Sequence, residues 1–196
     1  MPKRGLTEIV CVLDRSGSMN KIITDAIGGF NAFLEAQQKE DGEANMSIVL
    51  FDDEYSLTCV SLPVADIKPF NKKTYVPRGS TALLDAIGHA VTDVQEVIDN
   101  TEEDARPERV IVVILTDGDE NASKHWQLKK EDNGDTRPSV FDLIEAKKAE
   151  GRRLGVFVPC CESGCHEGRC VLRLRRDTDS LIPSNRSRST GCLCCD

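Results

Sequence analysis

Apolar positions fall along this chain in two kinds of run that take turns. Thr7–Leu13, Met46–Phe51 and Val110–Leu115 are continuous and rich in β-branched residues, the pattern of strands buried on both faces. Between them, Ile22, Ile23, Ala26, Ile27, Phe30, Phe33 and Leu34 recur at three- and four-residue spacing, and so do Leu83, Leu84, Ile87, Ala90, Val91, Val94, Val97 and Ile98. Each set is the inner face of a helix. Lys39–Glu43 ends the first helix, and His89 reads as a partly exposed residue of the second. Tyr55–Leu62 alternates more nearly and is stopped by Pro63, so it reads as an antiparallel edge strand. Pro138 suits a first helical turn, and Phe141, Leu143, Ile144, Lys147 and Lys148 continue a third helix to Glu150. Three stretches carry no period. Asp52-Asp53-Glu54 reads as a solvated turn, with a second cation site as the rival reading. Ile67–Arg78 reads as a loop, and Lys124–Arg137, which holds the sole tryptophan Trp126, as a surface excursion.

Strand, helix, strand, edge strand, helix, strand, helix predicts an α/β fold: a three-layer, Rossmann-like, doubly wound sheet, mostly parallel, with one antiparallel edge strand. Such sheets bind ligands beyond the carboxyl ends of their strands, where strand order reverses. If the strands ending at Leu13 and Leu115 flank that point, Asp14 and Asp117 face one another across a crevice that Thr81 can complete.

Charge and cysteine content divide the chain unevenly. Its net charge of -8 disfavours binding to nucleic-acid phosphates. The apolar run near the N-terminus is broken by Asp14, too early for a signal peptide or a membrane span, so a cytoplasmic, membrane-free protein is expected. Of nine cysteines, Cys11 and Cys59 sit in strand-like runs, where a thiol is a small hydrophobe, and the other seven lie between Cys160 and Cys195. Residues 1–150 carry a net charge of -11, whereas 151–196 carry +3 with eight arginines and no lysine.

The candidate chemistry lies in the loops. Asp14, Ser16 and Ser18 alternate along an extended loop and can converge, with Gly17 allowing the tight turn. One carboxylate and two hydroxyls suit magnesium or manganese better than a calcium cage; the rival reading is a capped helix start. Thr81 stands in Gly-Ser-Thr-Ala-Leu-Leu-Asp and Asp117 in Leu-Thr-Asp-Gly, which makes five candidate ligands in three loops.

This set, in its order and spacing, resembles the metal-ion-dependent adhesion site of von Willebrand factor type A domains over residues 6–150. The Asp-Arg-Ser-Gly-Ser-Met and Gly-Ser-Thr-Ala-Leu-Leu-Asp forms are similar to intracellular bacterial and phage members. The resemblance implies that Ser16, Ser18 and Thr81 coordinate Mg2+ or Mn2+, with Asp14 and Asp117 close by and partly acting through water. It further implies an ion position left for a carboxylate of a partner protein, and for some relatives a larger complex with an ATPase. A metal-assisted hydrolase is the alternative, but no histidine or lysine stands in these loops as a base, which leaves only Asp119 and Glu120.

The domain is therefore expected over residues 6–158, followed by a Cys/Arg-rich tail at 159–196. The one Cys-x2-Cys pair there, Cys192 and Cys195, has no second pair beside it to build a zinc cluster, which leaves a disordered basic tail or a product of frameshift. Back-translated one nucleotide later, Arg153 to Leu174 can read Gly-Trp-Glu-Phe-Leu-Phe-Leu-Ala-Ala-Asn-Gln-Asp-Ala-Met-Lys-Ala-Gly-Ala-Ser-Tyr-Gly-Phe, a buried strand followed by a helix. On that reading Arg152–Asp196 is out of frame and the native last strand and helix are missing, while Leu154–Val158 can still pair at the sheet edge.

Overall fold

The continuous apolar runs become the middle of one sheet. In the computed structural model, described over residues 2–117, 119–130, 135–149 and 153–157, the elements follow as β1 (Lys3–Asp14), α1 (Ile23–Lys39), β2 (Glu43–Phe51), β3 (Tyr55–Pro63), α2 (Leu83–Asn100), β4 (Pro107–Leu115), α3 (Val140–Ala149) and β5 (Arg153–Phe157). The strand order is β3-β2-β1-β4-β5. β1 runs parallel to β2, with Leu13 beside Leu50, and parallel to β4, with Leu13 beside Leu115. β4 and β5 are also parallel, and only the β2–β3 pair is antiparallel. The order reverses between β1 and β4, so the expected switch point is present.

Alternation along the strands divides the core into two halves. Ile9, Cys11 and Leu13 join Met46, Ile48 and Leu50 under Ala26, Phe30 and Leu34 of α1. Val10 and Val12 join Val49, Phe51, Val112 and Ile114 on the other face, beneath Leu83, Ile87 and Val91 of α2 and Val140 and Ile144 of α3. Helices on both faces make the three-layer, doubly wound α/β fold that the order of elements predicts.

Three local expectations need correction. β1 begins at Lys3, before its apolar run, because pairing rather than apolarity sets its end: the Lys3 N–H donates to the Arg106 carbonyl at 2.8 Å and the Gly5 N–H to Glu108 Oε2 at 2.8 Å. β3 does not alternate throughout, since its register with β2 shifts twice, between Met46 and Ile48 and between Ile48 and Val49. At the first of these, opposite Ser47, Ser61 takes a φ of 46°. Its N–H donates to Ser47 Oγ at 2.9 Å, and Glu8, buried on β1, accepts from Ser47 Oγ at 2.6 Å and from Ser61 Oγ at 2.8 Å. The stretch after Lys124 is not a free excursion. Asp85 of α2 accepts the backbone N–H groups of Lys124, His125 and Trp126 at 2.8, 2.9 and 2.8 Å. Gln127 and Ser139 are buried and bridge to one another. A backbone clasp, rather than a hydrophobic stripe, holds the segment, which explains its lack of period. The tail at 159–196, the domain boundary at 158 and the readings offered for them lie outside the described residues. Among the described residues no helix is long and apolar enough to cross a membrane.

Candidate metal centre

β1 delivers Asp14 to the switch point fully buried. Its Oδ1 accepts the Ser16 N–H at 2.6 Å and its Oδ2 accepts the Thr116 hydroxyl at 2.5 Å, while the Tyr75 hydroxyl donates to its backbone carbonyl. Ser16 Oγ lies 3.0 Å from Ser18 Oγ, and Ser18 Oγ donates to Asp117 Oδ1 at 2.8 Å. One continuous line of hydrogen bonds thus runs from the end of β1 to the end of β4, through the Ser16 N–H and the Ser16 and Ser18 hydroxyls. Thr81 is nearly buried and is tied to the loop after Asp117 through its backbone: its N–H donates to Asn121 Oδ1 at 3.0 Å, and its carbonyl accepts from the Asn121 and Ala122 N–H groups.

The electrostatics follow from that packing. Burial pushes the Asp14 carboxyl above its usual range. Hydrogen bonds from Thr116 and Ser16 pull it back, and the nearby Asp117 charge raises it further. Burial likewise raises the Tyr75 phenol, helped by Asp14 and Asp117. Two acidic groups held together at a strand switch point, with hydroxyls between them, favour a cation. The donors are all oxygen and include two carboxylates, as a hard divalent ion requires. Among the described residues no three His, Cys, Asp or Glu side chains cluster as potential ligands, so hydroxyls have to supply the remainder of any shell.

Several partners of the site went unread in the sequence. Asp52, expected in a solvated turn, is wholly buried, because its carboxylate is held between two guanidinium groups. Arg15 Nε stands 2.9 Å from Asp52 Oδ2 as an ion pair without hydrogen-bond alignment, and Arg78 Nε donates to the same oxygen at 2.7 Å. Asp52 Oδ1 accepts the Glu54 N–H at 2.7 Å, so this carboxylate is committed to protein partners. Glu120, one of the two conceivable bases, is similarly engaged: its carboxylate accepts the N–H groups of Leu84, Ala122 and Ser123 and the Ser123 hydroxyl. Asp119 is exposed. A fully charged run such as Asp52-Asp53-Glu54 conceals its one buried member, and only the arginines beside the two ligand motifs hint at it. Tyr75 carried no signal at all.

These features together define a class of protein, a doubly wound α/β domain with an oxygen-rich crevice at its switch point. Two solved structures share the architecture. Proximal thread matrix protein 1 from the mussel byssus superposes with a TM-score of 0.52 at 20% identity over 79% of this chain and 36% of its own. The manganese-loaded TRAP protein of Plasmodium vivax does so with a TM-score of 0.51 at 20% identity over 79% of this chain and 57% of its own. The chain thus spans a little over half of one and about a third of the other. At that identity the likeness is one of fold, a doubly wound α/β sheet with helices on both faces. No protein-family model matches the sequence, and no curated protein does.

Proposed function

We propose that the chain is a metal-dependent protein-interaction module. Ser16, Ser18 and Thr81 hold a Mg2+ or Mn2+ ion, Asp14 and Asp117 balance its charge, and a carboxylate of a partner protein completes its shell. The observation that carries this reading is the hydrogen-bonded line from Asp14 through Ser16 and Ser18 to Asp117, which joins two neighbouring strand ends and gathers two carboxylates and two hydroxyls. The manganese held by the TRAP protein supports the choice of ion. When bound, the ion supplies a Lewis-acidic point to which an external carboxylate is attracted. The chain's own residues orient it: Thr116 and the Ser16 N–H fix the Asp14 carboxylate, and Asn121 fixes Thr81. The proposal includes a cytoplasmic setting, supported by Cys11 and Cys59 standing as free thiols, Cys11 buried with its thiol pushed up to about 12 by burial, with smaller contributions from Cys59 and Glu8.

The hydrolase reading would need a general base near the crevice. Glu120 is occupied by four hydrogen bonds, while the His89 ring of α2 lies against Tyr55 and meets His125 edge-on. Interaction is therefore the better-supported function. The test is thermal melting with and without millimolar magnesium or manganese, for the parent and for Asp14→Ala. At a hundredfold excess over the dissociation constant a ligand stabilises by about 2.7 kcal/mol, which for a domain of this size raises Tm by roughly 5–10 °C. A rise in the parent that Asp14→Ala abolishes is the expected result. A cooperatively melting parent with no rise ends the metal reading. Turnover of a phosphoester or peptide that Asp14→Ala abolishes would put catalysis first.

A further inference from the structure

The two ligand-bearing loops touch each other through backbone hydrogen bonds and are also tied to one shared carboxylate. Arg15 lies between Asp14 and Ser16, and Arg78 stands just before Gly79-Ser80-Thr81; both guanidinium groups converge on the buried carboxylate of Asp52 at the end of β2. The backbone repeats the pattern. The Arg15 N–H donates to the Phe51 carbonyl at 2.7 Å, the Arg78 N–H to the Arg15 carbonyl at 2.7 Å, the Gly17 N–H to the Gly79 carbonyl at 3.0 Å, and the Ala82 N–H to the Asp52 carbonyl at 2.9 Å. Asp52 is thus the shared anchor of the loop that carries Ser16 and Ser18 and the loop that carries Thr81, although it is none of the five candidate ligands.

We propose that Asp52 is the positioning residue of the candidate metal site: by clamping Arg15 and Arg78 it sets the separation at which the Ser16–Ser18 loop and Thr81 meet one ion. The inference rests on the metal-binding reading above, and it makes a prediction that charge alone does not. Neutralising Asp52 removes a negative charge near a cation and should weaken binding on either account. Neutralising Arg78 removes a positive charge, which electrostatics alone says should tighten binding. A clamp says that it should weaken binding as well. Arg78 is suited to the comparison because its side chain is 52% exposed and can be changed without opening the core.

The experiment is calorimetric titration of Mn2+ into the full chain and its Asp52→Asn and Arg78→Gln variants, together with amide hydrogen exchange of Gly17, Ala82 and, as a core reference, Val12. The expected result is a dissociation constant at least about tenfold weaker in both variants, with Gly17 and Ala82 exchanging at least about tenfold faster and Val12 unchanged. Tighter Mn2+ binding by Arg78→Gln overturns the proposal, as does an unchanged affinity and exchange pattern in both variants. If Asp52→Asn fails to fold, Arg78→Gln carries both readouts. If the parent binds no Mn2+, the metal reading falls, and the Gly17 and Ala82 exchange rates still decide whether the clamp aligns the two loops.

Discussion

Glu8 shows how one side chain can set the pH response of the molecule. It is buried on β1, where burial raises its carboxyl above the usual range and the Ser47 and Ser61 hydroxyls only partly lower it. A raised folded-state value means that its contribution to stability is complete below the unfolded value and is lost as pH rises through the folded one. Each unit of such a shift is worth about 1.4 kcal/mol. Glu8→Gln keeps the shape and offers an amide to the same hydroxyls, so it should gain stability relative to the parent as pH is raised from 4 to 8 in denaturant titrations. Asp14, raised by the same cause, leaves a residual slope in the variant. A parent and variant with parallel pH profiles would show that Glu8 is not the source. At this scale the sequence was legible where a residue type is rare in its surroundings. Asp14 and Asp117 interrupt buried strands and so announce themselves, whereas Asp52 among acids and Glu8 before an apolar run do not. Burial of a charge depends on partners distant in the chain, here Arg78 and Ser61, and local pattern carries no record of them.

Among the elements, α2 is where periodicity gave the correct helix and missed what holds it. Its first turn is closed by residues that follow β4: Glu120 accepts the Leu84 N–H at 2.9 Å, and the Asp85 N–H donates to Ser123 Oγ at 3.0 Å. In return Asp85 takes three backbone N–H groups from the segment that ends at Trp126. Asp85→Ala leaves those donors without their acceptor and should cost about 2–3 kcal/mol, less than three fully buried orphans because the segment is partly hydrated. The tryptophan should report it through red-shifted emission in the native state. Gly88 makes the same contact from the other side. A Cβ there would lie 2.3 Å from the Trp126 ring, so Gly88→Ala should lose about 1–3 kcal/mol by overpacking despite alanine's better helix propensity. A Gly88→Ala variant at least as stable as the parent in urea would mean that the ring does not rest on the helix. Strands, helices and their order were readable because each follows from a continuous apolar run or a 3.6-residue period along one segment. The clasp was not, because it is made of backbone donors, which every residue has.

For the whole molecule, the question is where the domain's stability ends along the chain. Among the residues whose burial is described, both core halves lie before 150: α1 covers one face of β1 and β2, and α2 with α3 covers the other. β5 adds parallel pairing to β4 from Arg109–Arg153 to Val113–Phe157. The order of elements therefore fixed the architecture, while the sequence beyond 158 offered no period from which to read a further element. On the offset-frame proposal for Arg152–Asp196, the present tail contributes nothing to the domain, and the restored frame adds an apolar strand and a helix. Two chains separate these statements. One ending at Val158 should melt within about 2 °C of the full chain and keep its manganese-dependent rise, since it keeps every described core residue and every candidate ligand. One carrying the restored frame should melt higher, because burying even a few more large apolar side chains adds about 1.5–3 kcal/mol each before entropy is subtracted. A truncated chain that melts well below the parent would make the Cys/Arg-rich tail part of the fold. A restored chain no more stable than the truncated one would remove the physical case for the frameshift, and an uninterrupted coding sequence around codons 148–155 in independent clones would remove the genetic one.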